Sequence, residues 1–132
     1  MEKVALKLLE KEDRDYNCKT YNYDTALILA CREKMTKVAL KLLEFSDIDY
    51  NHKTYNDDTA LILACRNKIE KVALKLLEFS DIDYNHKTYN DDTALILACR
   101  EKMTKVALKL LEFSDIDYNH KTYNDDSINI SM

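Results

Sequence analysis

The sequence predicts an all-α repeat solenoid in which helix pairs are joined by short hairpin-like loops, and three observations carry that prediction. The first is repetition. Lys37–Glu70 reads KVALKLLEFSDIDYNHKTYNDDTALILACRNKIE, and Lys71–Thr104 repeats it with three changes, Asn67 to Glu101, Ile69 to Met103 and Glu70 to Thr104. Lys3–Thr36 is an earlier, more divergent copy of this 34-residue unit, and Lys105 opens a fourth that holds through Asp126 before departing into SINISM. A fixed period of about 20–50 residues marks units that each bury an apolar face only against their neighbours. The second observation is that every copy holds two short apolar stretches of helical character separated by one polar stretch. The third is the absence of glycine and proline anywhere in the chain, which leaves asparagine and aspartate to make the turns.

The chain opens on Glu2–Lys11, the second helix of a repeat without its first. The copy starting at Lys71 shows the character of this helix best. At about 100° per residue, Val72, Ala73, Leu74, Leu76, Leu77 and Phe79 cover well over half the circumference and leave Lys71, Lys75 and Glu78 on a narrow wet strip. A helix apolar over so wide an arc is expected to be covered on more than one side. In the opening copy Lys11, Glu12 and Arg14 replace Phe79, Ser80 and Ile82, as suits a terminal cap facing water. Next comes the polar stretch, DIDYNHKTYNDD in the copy Asp81–Asp92, with no run of strong helix formers. Its Asn90-Asp91 pair stands where a tight turn would carry Asn-Gly or Asp-Gly, so a projecting polar hairpin is expected. The first helix of each pair follows as TALILAC, Thr93–Cys99, apolar all round and then polar at Arg100, Glu101 and Lys102. Thr93 follows two aspartates, so it starts a helix with a capping hydroxyl and negative charge at the amino end. Helices this short are unstable alone in water, and stacking must hold them.

The expected organisation is one domain, 1–132: a partial repeat 1–24, repeats 25–58, 59–92 and 93–126, and a tail 127–132. That makes about three full helix pairs with partial repeats at both ends. Charged residues make up 33% of the chain and the net charge is −4, which argues against nucleic acid as a partner. The longest apolar run is the six residues Ala26–Cys31 and its copies, too short to span a membrane. Charges among the first residues break any signal-peptide pattern, so an intracellular, cytoplasmic location is expected. Cys31, Cys65 and Cys99 recur at one place in successive repeats. Stacked helices stand about 8–10 Å apart, beyond the α-carbon reach of about 7 Å that a disulfide allows, so free thiols are expected.

The order hairpin, short helix, longer helix resembles the ankyrin repeat. Asp83, Tyr84 and Asn85 stand where that family has D-V-N, Asp91 where it has the turn glycine, and Thr93-Ala-Leu-Ile-Leu-Ala-Cys99 where it has T-P-L-H-L-A-A. Val106 begins the apolar stretch of the second helix at the family spacing. The match recurs from Asp15, Asp49, Asp83 and, incompletely, Asp117. Isoleucine replaces the family's histidine at Ile28, Ile62 and Ile96, so the Thr and His hydrogen bonding that knits such repeats is expected to be missing. Lys34, Lys68 and Lys102 replace the glycine between the helices, and the period exceeds the usual 33 by one residue, placed near Phe79 and Ser80. Tetratricopeptide repeats share the period, but two long helices leave them no room for a polar loop of this length.

Three constellations invite chemistry. Asp81, Asp83 and Asn85 open a segment the way a calcium loop opens, but His86 stands where its glycine is needed and Asp92 where a bidentate glutamate is usual. His52, His86 and His120, with Cys18 in register, are read as separate surface side chains, because repeat spacing holds them too far apart for one zinc ion. No nucleophile and base share a cleft, and no glycine-rich phosphate loop is possible, so neither an enzyme nor a cofactor is expected. The nine tyrosines are more informative. Tyr16, Tyr50, Tyr84 and Tyr118 are expected to pack at the hairpin base, while Tyr21, Tyr55, Tyr89 and Tyr123, with Tyr23, are either binding aromatics at the tips or rings that stack along the row.

The resemblance implies a protein-binding scaffold that meets its partner through hairpin tips and the concave face of the first helices. On this chain those residues are Lys53, Tyr55, Asn56, Asp57 and Asp58 with Arg66, then Lys87, Tyr89, Asn90, Asp91 and Asp92 with Arg100. Identical tips suit a repetitive or oligomeric partner through avidity. The alternatives are a structural module that self-associates through uncapped ends and, less favoured, a metal-binding loop sensor.

Overall fold

The computed structural model describes residues 16–20 and 23–117. Among them are six helices and no strand: α1 Ala26–Arg32, α2 Thr36–Leu42, α3 Ala60–Arg66, α4 Glu70–Leu76, α5 Ala94–Arg100 and α6 Thr104–Leu111. The expected opening helix Glu2–Lys11, the tail Ser127–Met132, and Tyr21, Tyr118, His120 and Tyr123 lie outside the described residues.

The first helices begin where the sequence places them. Thr25, Thr59 and Thr93 are extended N-caps whose hydroxyls accept from the amides of Ile28, Ile62 and Ile96 at 3.3, 3.2 and 3.2 Å. The threonine half of the expected loss of hydrogen bonding therefore does not occur. The second helices have no side-chain cap, and Met35, Ile69 and Met103 hold that position with apolar side chains. Phe79, assigned to the apolar arc of α4, lies beyond its end in a turn, its amide donating to the Leu76 carbonyl at 3.2 Å.

Each first helix stops without glycine. Lys34, Lys68 and Lys102 take left-handed backbone with φ of 56°, 59° and 61°. Two bonds close the end: the Met35, Ile69 and Met103 amides donate to Ala30, Ala64 and Ala98 at 2.8 Å, and the lysine amides donate to Cys31, Cys65 and Cys99 at 3.4, 3.2 and 3.2 Å. This is the Schellman ending, which favours glycine because a β-carbon is crowded there. Lys34 is exposed, so its side chain contributes little to packing. Lys34→Gly is therefore expected to stabilise the chain by about 1 kcal/mol, measured as a higher urea midpoint at unchanged slope. A lower midpoint would mean that the lysine side chain does more than the backbone geometry indicates.

The helices form two layers, α1 with α3 with α5 and α2 with α4 with α6, each pair closing across the layers. Between the layers lie Leu27, Ile28, Leu42, Leu61, Ile62, Leu76, Leu95 and Leu110, all fully buried. No helix among the described residues is long and apolar enough to cross a membrane.

Candidate functional site

The hairpins are built by threonine. Thr54 donates its amide to the Asp58 carbonyl at 2.9 Å and accepts the Asp57 amide on its own carbonyl at 3.0 Å. Its hydroxyl also accepts from the amides of Asn56 and Asp58, both at 3.2 Å. Thr88 repeats this with Asn90, Asp91 and Asp92. Asp57 and Asp91 sit at the turn with φ of 60° and 63°, where the family resemblance puts glycine. The turn pushes the intervening residues outward. Lys53, Tyr55, Asn56 and Asp57 are exposed, as are Lys87, Tyr89, Asn90 and Asp91, with Tyr55 at 68% and Tyr89 at 79%.

Asp58 and Asp92 are placed differently, for both are buried. The Arg66 guanidinium grips Asp58 through two bonds of 3.1 and 3.0 Å, and Arg100 meets Asp92 at 3.3 Å. Arg32 and Asp24 make the same pair at 2.5 and 3.0 Å. The hydrogen bond from Arg32 to the Asp24 carboxylate raises the guanidinium pKa further, against a smaller opposing effect of burial. These pairs tie the foot of each hairpin to the last turn of the first helix. Because each arginine keeps 37–38% of its side chain exposed, their worth in stability is modest.

Between tips and first helices run two grooves of about 430 and 450 Å³. Tyr55, Asn56, Asp58, Leu63 and Arg66 line one, and Tyr89, Asn90, Asp92, Leu97 and Arg100 line the next, with Asn56, Asp58 and Arg66 shared between them. The second is the first advanced by one repeat. They differ at one equivalent position: Asn67 in the first donates to the Cys31 carbonyl at 3.0 Å, and Glu101 in the second pairs with Lys68 at 3.6 Å.

Sequence reasoning missed what joins the hairpins to one another. The Asn51 amide donates to the Asp81 carbonyl and accepts from the Asp83 amide, both at 2.9 Å, so one side chain imitates a strand partner for the next repeat. Asn85 does the same to Asp115 and Asp117 at 2.9 Å, and Asn17 to Asp47 and Asp49 at 2.7 Å. Tyr16, Tyr50 and Tyr84 pack at the base as expected, stacked on Phe45, Phe79 and Phe113 of the following repeat with centroids 4.5, 4.3 and 4.2 Å apart. The Tyr50 and Tyr84 hydroxyls donate to the carboxylates of Asp81 and Asp115, which raises both phenol pKa values.

His52 and His86 are separate side chains, as expected, and each makes a contact the sequence did not indicate. His52 Nε2 lies 2.6 Å from the Tyr23 carbonyl and His86 Nε2 lies 2.6 Å from the Asp57 carbonyl, so each ring donates to the preceding hairpin and is half-buried. No local signal marked these contacts, because nearly every residue of the unit recurs, the exposed Lys53 and Lys87 included. Among the described residues no group of three or more histidine, cysteine or acidic side chains is placed to hold a metal ion. At the tips, Tyr23 and Tyr55 meet at a tilt of 57° with centroids 4.9 Å apart, so ring contact and exposure coexist there.

The fold is similar to the crystal structure of an ankyrin repeat domain from Acinetobacter baumannii AYE, with a TM-score of 0.74, 20% sequence identity and 92% of this chain covered. The alignment covers 60% of that chain's length. No curated protein matches the sequence. The family profile described as Ankyrin repeats (3 copies) matches residues 1–88 and 56–122. With two helix layers, capped first helices and a profile running through most of its length, the chain belongs to the ankyrin repeat family.

Proposed function

We propose that this chain is a non-enzymatic scaffold, a single domain over 1–132, that binds a partner protein through its hairpin tips and concave grooves. Ankyrin repeats as a class are protein–protein interaction modules. The observation that carries the reading is the exposure of Tyr55 and Tyr89 above two equivalent grooves. Large aromatics held at low conformational cost are the usual anchors of protein interfaces. Lys53, Asn56 and Asp57 with Lys87, Asn90 and Asp91 supply the polar rim, and Arg66 and Arg100 line the grooves. Two patches alike at every tip residue favour a partner that presents its own feature repeatedly. An intracellular setting fits the ankyrin repeat class as a whole.

Tyr55→Ser with Tyr89→Ser is expected to abolish capture of partner proteins from a lysate while leaving the thermal midpoint within a few degrees. Retention of every captured protein would sink the scaffold reading. A structural, self-associating module is the second reading, favoured by Leu108, which is 50% exposed on α6 whereas its equivalent Leu74 is half-buried. Sedimentation of wild type and Leu108→Lys separates the two readings, since only self-association through that face responds to the added charge.

A further inference from the structure

We propose that the edge of the stack where α1 and α2 meet α3 and α4 is a further interaction surface, one that takes two carboxylates from an acidic segment of a partner protein. Apart from Asn67, which also lines the first groove, it uses none of the residues of the tips and grooves. It shares with the scaffold reading only the premise that the partner is a protein. Two junctions of this one molecule differ there. Between the second and third helix pairs two ion pairs cross, Lys68 to Glu101 at 3.6 Å and Lys105 to Glu70 at 3.9 Å, so two ammonium groups are matched by two carboxylates. Between the first and second pairs the same positions, one repeat earlier, hold Lys34, Asn67, Lys71 and Thr36. Both lysines remain and both carboxylates are gone.

Asn67 bridges that junction without supplying charge. Its side-chain amide donates to the Cys31 carbonyl at 3.0 Å, the same atom that accepts the Lys34 amide at 3.4 Å. α2 packs on α4 as α4 packs on α6, so Thr36 stands to Lys71 as Glu70 stands to Lys105, with a hydroxyl in place of the carboxylate. Lys34 and Lys71 are exposed, and neither makes an ion pair among the described residues. The acidic side chains next to them in the chain belong to other junctions: Lys105 holds Glu70, and Glu33 has the place of Glu101, whose partner Lys68 comes from the preceding helix pair. The edge thus carries two unmatched positive charges on a chain of net charge −4. A short acidic segment fits this better than a phosphate polymer or an anionic membrane does. Carboxylates already fill the matching junction, and the acidic remainder of the chain repels an extended polyanion.

The test adds a short synthetic peptide of alternating glutamate and serine to the full chain at low salt and follows the backbone amides by NMR. Exposed ion pairs are individually weak and are screened by salt, so modest factors are expected. The amides of Lys34 and Lys71 should shift, and Thr36→Glu with Asn67→Glu, which copies the second junction into the first, should weaken the peptide about fivefold. Ser46→Glu with Ser80→Glu adds the same charge at exposed positions beyond the other ends of α2 and α4, and should change the affinity less than about twofold. Glu70→Thr with Glu101→Asn should open a second site, seen as new shifts at Lys68 and Lys105. Equal weakening by the two pairs of added glutamates overturns the proposal, as does equal affinity of the filled variant and wild type. Equal binding of a glutamine-for-glutamate peptide, or preferential binding of an oligothymidylate at these amides, overturns it too. Tyr55→Ser with Tyr89→Ser should leave the peptide's affinity unchanged, so failure here is distinguishable from failure of the scaffold reading.

Discussion

Replacing Leu76 by alanine is expected to cost about 2–5 kcal/mol, because a fully buried leucine leaves a cavity that its neighbours fill only in part. Leu76 closes α4 and has no exposed surface, and α4 packs between α2 and α6. The chain has few ways to relax around the void, for Leu42 and Leu110 hold the same place on the flanking helices and are equally buried. In a solenoid the whole body depends on contacts between nearest neighbours, so a defect in the middle repeat weakens two junctions at once. A loss of that size is a large part of the ~5–15 kcal/mol available to a domain. Urea denaturation of Leu76→Ala and of Leu108→Ala, which removes a side chain already half in water, gives the comparison. Similar losses for the two would show that α4 is not packed as the two-layer arrangement requires.

Thiol labelling carries the other large effect. Burial pushes the thiols of Cys31 and Cys65 up to about 12, and both lie in the first-helix layer with no exposed surface. The thiolate is the reactive form, so at pH 8 only about one thiol in ten thousand is ionised at such a site. Access is closed as well, and reaction must wait for a repeat to open. Cys18 is exposed on the first hairpin, and Cys99 is half-buried with its pKa raised less far by partial burial. Under native conditions Cys18 is expected to react at least about a thousandfold faster than Cys31 and Cys65, with Cys99 between. In urea all four should react alike. Equal rates in buffer would contradict the assignment of these residues to the interior. The same burial makes stability fall with rising pH: thiols freed by unfolding ionise above their ordinary value of 9.0, while the folded thiols hold their protons until about 12. The loss therefore begins near pH 9 and is complete above the folded values.

The helices, their caps and the family were legible because they depend on residues only a few positions apart. A threonine after two aspartates and before an apolar run caps a helix wherever it occurs, and a 34-residue recurrence reports stacking without any coordinates. The exposure of the hairpin tips was legible for a related reason: Tyr55 and Tyr89 stand just before the tight turns that the sequence projects into solvent, and both are exposed. The absence of glycine was visible too, and with it aspartate at the turns, but not that Tyr23 and the helix-end lysines Lys34, Lys68 and Lys102 join Asp57 and Asp91 in left-handed backbone among the described residues.

The rest depended on tertiary structure, because it consists of pairings across roughly one repeat that no local rule anticipates. Asn51 spans 30 and 32 residues to reach Asp81 and Asp83, and His86 spans 29 to the Asp57 carbonyl. Asp58 and Arg66 read as two surface charges, yet folding the hairpin against α3 makes them a single pair with the carboxylate buried. By itself the sequence determined which elements form and which faces must be covered, since periodicity and capping act within a helical turn. Only the stack decided which polar groups meet, because burial removes water as a partner and leaves each donor to the acceptor that the neighbouring repeat brings within reach.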